Sequence, residues 1–190
     1  VVRVKYGTLQ RAAFAEKGGD KLKDWIDSCP NQLYSALTFM GGKVWRERLM
    51  EALGDQGDVS ALLDARSDEE LALLMENLGG NCVETMAETF NAVKHDRPVC
   101  FLAYTIKGWG SPIAGHKDNH GGLMNKTQMA AWQKHMGVLE GDEWDKFATV
   151  EDPGSLQSFL DQVPFFANGH RRYSDEIISV PSIELSSERE

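Results

Sequence analysis

The sequence is poor in cysteine, poor in positive charge and without a long apolar run. Its three cysteines, Cys29, Cys82 and Cys100, are odd in number, far apart and outside any C-x-x-C spacing. That excludes a disulfide framework and a zinc ribbon, and leaves reduced thiols in a cytoplasmic protein as the expectation. Basic residues number 20 against 29 acidic, a formal charge of -9, so a nucleic-acid or anionic-membrane surface, which needs a net positive face, is excluded. No apolar run approaches the roughly 20 residues that cross a bilayer, and no basic, apolar, small-residue leader opens the chain. An initiator Met is also missing. "VVRVKYG" at residues 1–7 opens in mid-strand with alternating apolar residues, which reads as the start of an internal piece of a longer protein.

What is present is enough for a core. With 190 residues and 42% hydrophobic content, the chain is expected to form one ordinary domain or part of a larger one. Residues 1–5 read as a strand and residues 21–28 as a short helix ended by Pro30; Lys21, Lys23 and Asp24 form its solvated face. The mixed stretch 31–42 carries no assignable period. Val44, Trp45, Leu49 and Leu53 recur at helical spacing and Gly54 follows as a stop, so 43–53 is expected to be a surface helix, and Gly54 to Gly57 an ordinary loop ending it. Ser67 followed by Glu70 is a capping box opening a helix to Leu78, stopped at Gly79-Gly80. Residues 82–94 predict a helix with Val83, Met86, Ala87 and Phe90 on one face, before a turn at 95–98.

The next run, "VCFLAYT" at 99–105, is apolar throughout and bounded by Pro98 and a Gly-rich segment, as in a strand buried on both faces of a parallel sheet. Helix then strand at this spacing implies an α/β sheet. Thr127 is expected to cap a helix to about Met136, with Gly137 as its end, and short helices are expected at 143–147 and 155–161. Trp25, Trp45, Trp132 and Trp144 fall in helix-like patterns as core or interface residues. The polar tail, 168–190, reads as a linker or arm.

The loop "TIKGWGSPIAGHKDNHGG", 105–122, carries the chemistry. In open α/β sheets ligands sit outside the carboxyl ends of parallel strands, and this segment leaves the expected strand there. It joins Gly108, Gly110, Gly115, Gly121 and Gly122, which permit close backbone approach, to Lys107, His116, Lys117 and His120. Loops this long are often lids or binding loops; the plain alternative is that the glycines make turns and the polar groups face water. His116 and His120 stand four apart, but the flanking glycines disfavour a helix and the Glu of H-E-x-x-H is missing, so no metal site is assigned.

On "AYTIKGWG", residues 103–110, and "AGHKDNHGGLM", residues 114–124, the sequence resembles the large homodimeric type of pyruvate dehydrogenase, and more distantly transketolase. "VVRVKYG" and "SDEELALLMENLGG" fall in the same order, so the resemblance spans most of the chain. It implies an α/β fold: residues 1–167 as the C-terminal part of a transketolase-like, parallel-sheet domain with helical excursions, which binds thiamine diphosphate and Mg2+ between two subunits. The G-D-G motif and following Asn that hold the metal would lie upstream of Val1, and the activating glutamate in another domain. This chain alone is therefore expected to be inactive.

The resemblance assigns His120 to proton handling near the diphosphate and substrate. It assigns Lys107 to the pyruvate carboxylate or a developing oxyanion, with His116 and Asn119 as further substrate or loop contacts. The implied reaction is oxidative decarboxylation of pyruvate, with transfer of the acetyl unit to a lipoyl group on an acetyltransferase partner. Two features depart from the pattern: Asn81 stands where His is more common, and "HGGL" approaches a transketolase form. Transketolase chemistry on sugar phosphates is thus the alternative, and a non-catalytic domain retaining the fold the third reading.

Overall fold

The computed structural model describes residues 1–163; the expected linker at 168–190, and the expected domain end at 167, lie outside the described residues. The chain divides into two compact units, with the boundary after Gln133.

In the first unit, Val2–Val4 forms β1 and pairs in parallel with β2, Phe101–Ala103, with Val2 opposite Phe101 and Val4 opposite Ala103. Seven α-helices lie between them in sequence: α1 (Thr8–Phe14), α2 (Gly19–Ser28), α3 (Asn31–Met40), α4 (Gly42–Leu53), α5 (Gly57–Asp64), α6 (Asp68–Glu76) and α7 (Val83–Asn91). The result is a mixed, helix-rich α/β arrangement. A single 3-10 turn at Gly79–Asn81 precedes α7. Its glycines tie the strand ends together: Gly79 N donates to Lys5 O and Gly80 N to Tyr104 O, both at 2.8 Å. A Cβ on Gly79 would stand 2.4 Å from Val4 O, so only glycine lets the turn approach β1 this closely.

Trp45 is the hub of the core. It is fully buried on α4 and meets Tyr34 and Trp25 edge to face, at centroid distances of 4.8 and 6.0 Å. Leu22, Leu49, Leu63 and Leu71 are likewise fully buried, one from each of α2, α4, α5 and α6. The expected surface helix at 43–53 is therefore central: its neighbours α3, α5 and α6 enclose the apolar stripe that the spacing revealed. Stretch 31–42, without a readable period, is α3. Residues 54–56 form the expected loop, but Gly57 already opens α5.

The capping box is present as expected. Ser67 Oγ accepts from Glu70 N at 3.2 Å and Glu70 returns the bond to Ser67 N at 2.8 Å. Arg46 adds a tertiary clamp, donating to Asp68 at 2.5 Å and to the carbonyls of Leu63 and Arg66 at 2.7 and 2.6 Å. It thereby adds charged donors to carbonyls at and just beyond the end of α5 while holding the first residue of α6.

Other expectations are corrected. Strand 99–105 shortens to three residues and is not buried on both faces: Leu102 is 45% exposed, and Ala103 and Tyr104 are exposed, because its only sheet neighbour among the described residues is β1. The face of α7 carrying Val83 and Phe90 points outward; Thr85 is the buried residue of that helix, and Phe90 packs edge to face on Phe101 at 4.9 Å. Lys23 is not merely solvated, since it binds Asp27 at 2.7 Å. Asn125, not Thr127, caps α8 (Lys126–His135): Asn125 Oδ1 accepts from Gln128 N at 2.9 Å and Gln128 answers at 3.0 Å.

In the second unit Gly137 ends α8 at φ +70°. The expected helix at 143–147 is a series of turns, with Trp144 97% exposed. Asp152 caps α9 (Pro153–Gln162) by accepting from Ser155 N at 2.9 Å, which extends the expected 155–161. Among the described residues no helix is long and apolar enough to cross a membrane.

Candidate functional site

The strands β1 and β2 end on the same side, and two cavities open beyond their carboxyl ends. The deeper, of about 430 Å3, is lined by Lys5, Asp27, Tyr34, Tyr104, Thr105 and Lys107 among others. The wider, of about 630 Å3, lies between α3 and the Gly-rich loop, with Lys107, His116, Lys117 and Asn119 on one side and Ser35 and Phe39 on the other. Asn31, Ser35 and Lys107 line both. Lys107 thus stands between the two cavities, and its ammonium makes no ion pair among the described residues.

The loop is fastened to the helices at several points. Gly115, at φ +72°, lies so close to α3 that a Cβ there would stand 2.4 Å from Ser35 O. The left-handed backbone and the close approach both require glycine. Asn119 Nδ2 donates to Lys107 O at 2.7 Å and to Ile113 O at 3.2 Å, closing the loop on its own base. Burial pushes up the Glu76 carboxyl, near the end of α6, and the Trp109 indole draws it partly back. Asn119, expected as a substrate or loop contact, is thus a loop clamp whose side chain also borders the cavity.

His116 is held on two sides. Phe39 meets its ring at a centroid distance of 4.5 Å and an interplanar angle of 64°, and its Nδ1 accepts from Asp118 N at 3.1 Å. His120 is exposed and lines neither cavity, so the structure brings Lys107 together with His116 and Asn119, and not with His120.

The wider cavity suits an anion. Among the described residues no carboxylate lines it. Two Lys side chains do, and it opens on the first turn of α3, which has no acidic residue and no side-chain cap. The free amides of such a turn favour negative charge. These residues fit the anionic end of a cofactor or a carboxylate substrate. They do not fit a divalent cation, and among the described residues no group of three or more His, Cys, Asp or Glu could hold a metal ion.

Asp27, in the deeper cavity, is already neutralised. Lys5, Tyr6 and Lys23 all donate to it, and although burial pushes its carboxyl up, these bonds together bring it well below the ordinary range. Burial first, then the bond to Asp27, pushes the Tyr6 hydroxyl up to about 12. Lys5 also lies 5.6 Å from the Tyr104 ring centroid.

Sequence reasoning missed this network and the α3 wall. The wall had a signal: Gln32, Ser35, Ala36 and Phe39 follow i, i+3, i+4, i+7 spacing. The network had none, because Lys5 and Asp27 are 22 positions apart. Cys82, read as a plain thiol, is buried with its sulfur 3.3 Å from Thr85 Oγ1 and 3.5 Å from Thr8 N; burial raises it, but these bonds bring it down to about 6. Asn81, noted for replacing His, is also buried and donates to Glu76 O at 3.2 Å.

No family model, no curated protein and no solved structure matches this chain.

Proposed function

We propose that this chain is part of the thiamine-diphosphate-binding domain of a pyruvate dehydrogenase decarboxylating component, acting as a homodimer and located in the cytoplasm. One observation carries the reading. The "TIKGWG" loop leaves the carboxyl end of a parallel strand and sets Lys107, without an ion pair among the described residues, at the mouth of a cavity that no described carboxylate lines. That is where an α/β sheet holds its ligand, and the lining selects an anion.

When bound, thiamine diphosphate supplies a nucleophilic carbon that adds to the carbonyl of a 2-oxo acid and takes up the electron pair released with CO2. The chain's own residues bind and orient. Lys107 neutralises the substrate carboxylate or the oxygen on which charge develops, and a fixed cation there avoids reorganisation of water. The first turn of α3 adds amide donors. Asn119 holds the Lys107 backbone in place. His120, exposed on the loop, is assigned to proton exchange. Magnesium ligands are assigned to residues outside this chain, and the acetyl unit to a lipoyl group on an acetyltransferase partner.

The test uses the full-length protein with thiamine diphosphate and Mg2+. Pyruvate-dependent CO2 release and acetylation of a lipoylated acetyltransferase are expected, with kcat/KM lowered about 10²-fold by Lys107→Ala. Turnover of xylulose 5-phosphate in place of pyruvate would establish transketolase chemistry, whose sugar phosphates the same anion-selective lining could accept. Absence of thiamine diphosphate binding by calorimetry would leave the non-catalytic reading. Unchanged turnover and acetylation in His120→Ala would remove the role of that residue.

A further inference from the structure

The wider cavity holds a second polar group whose geometry the loop sequence did not disclose. His116 has two ring nitrogens, and the fold occupies one. Nδ1 accepts the Asp118 amide at 3.1 Å, so in the neutral ring the proton resides on Nε2. The ring cannot swing freely, because Phe39 packs edge to face on it and the preceding residue, Gly115, is pressed against Ser35 of α3. Nε2 has no hydrogen-bond partner among the described residues, while the side chain lines the cavity with Lys107 and Lys117. A half-buried imidazole with one nitrogen satisfied by the neighbouring backbone and the other without a partner among the described residues is a preset donor.

We infer that His116 is a specificity-determining residue of this cavity, donating from Nε2–H to an oxygen of an oxyanion, carboxylate or phosphate, whose charge Lys107 balances. This rests on the reading of the cavity as the substrate site, and deepens it. Lys107 attracts any anion; His116 adds a directional bond, so that the bound oxyanion is oriented as well as neutralised. Phe39 and Gly115 act through His116 as positioning residues.

The experiment measures binding of pyruvate and, separately, of inorganic phosphate to the full-length protein by calorimetry, for wild type and three variants with matching thermal transitions. His116→Ala removes the donor. His116→Asn places an amide near the Nδ1 position and cannot reach the ligand. His116→Gln extends an NH2 donor to the Nε2 position. The expected result is binding weakened roughly tenfold or more by Ala and Asn, and within about threefold of wild type for Gln. The anion held more tightly by wild type identifies the source as carboxylate or phosphate ester. Equal binding by all variants, or Asn binding better than Gln, would overturn the inference. So would failure of wild type to bind either anion.

Its failure is separable from failure of the functional reading. Full turnover of pyruvate with KM unmoved by any His116 variant would sink the inference and leave the decarboxylase reading intact. Anion binding that follows the Gln and Asn pattern in a protein that turns over neither pyruvate nor sugar phosphate would do the reverse.

Discussion

At the scale of single residues, the densest chemistry is not in the loop but beneath it, where Lys5, Tyr6 and Lys23 converge on Asp27. The two acids of this group respond to pH in opposite directions. Asp27 titrates lower in the fold than in the unfolded chain, so its contribution is complete above about pH 4 and fades as pH falls below that value. Tyr6 is raised to about 12, so its contribution is complete below about pH 10 and is lost as pH rises from there toward about 12. Denaturant titrations across the alkaline range should show that loss in the wild type, and a shallower slope in Tyr6→Phe, which has no hydroxyl to ionise. Parallel slopes would mean that Tyr6 ionises freely. Because Asp27 is part-exposed, each of its ion pairs is worth only about 0.2–1 kcal/mol.

At the scale of elements, helix punctuation was legible and helix environment was not. Ser67 and Glu70 lie three positions apart and satisfy each other's backbone, so their pattern survives in any context. The clamp made by Arg46 does not. It joins α4 to the carbonyls around Leu63 and Arg66 and to Asp68, and α5 itself, eight residues between Gly-rich and polar flanks, offered too short a period to read. Arg46→Ala is expected to lower stability by about 2 kcal/mol, since the carbonyls at the end of α5 lose charged donors. Arg46→Lys should recover less than half, because an ammonium cannot span three acceptors as the planar guanidinium does. Urea midpoints of the two variants check this; full recovery by Lys would reduce the clamp to a simple charge effect. The same limit explains α7, whose apolar period was read correctly but whose face was assumed to be buried: periodicity reports that a stripe exists, not that something covers it.

At the scale of the whole molecule, the parallel pairing of β1 with β2 joins strands separated by about the length of seven helices, and places the loop at their carboxyl ends. Phe90 on α7 and Leu102 on β2 remain about half exposed, more apolar surface than a parallel sheet ordinarily shows to water. The 190-residue chain is therefore expected to bind an apolar fluorescent dye, with Leu102→Lys plus Phe90→Ser reducing the signal by roughly half. An unchanged signal in that double variant would place the dye site elsewhere.

By itself the sequence determined the features whose physics is local: the capping box, the glycine stops, the α/β alternation at its end, and a loop too rich in Gly, Lys and His to be an ordinary turn. Those signals act over three or four positions, or over one composition-biased stretch, and need no partner. Only the tertiary structure decided which groups meet. Gly115 lies against Ser35, 80 positions away in the sequence, and Phe39 against His116, 77 away; contacts of that separation leave no periodic trace. They set the wall of the cavity that Lys107 lines. They also put His116 in the cavity wall, while His120 lines neither cavity.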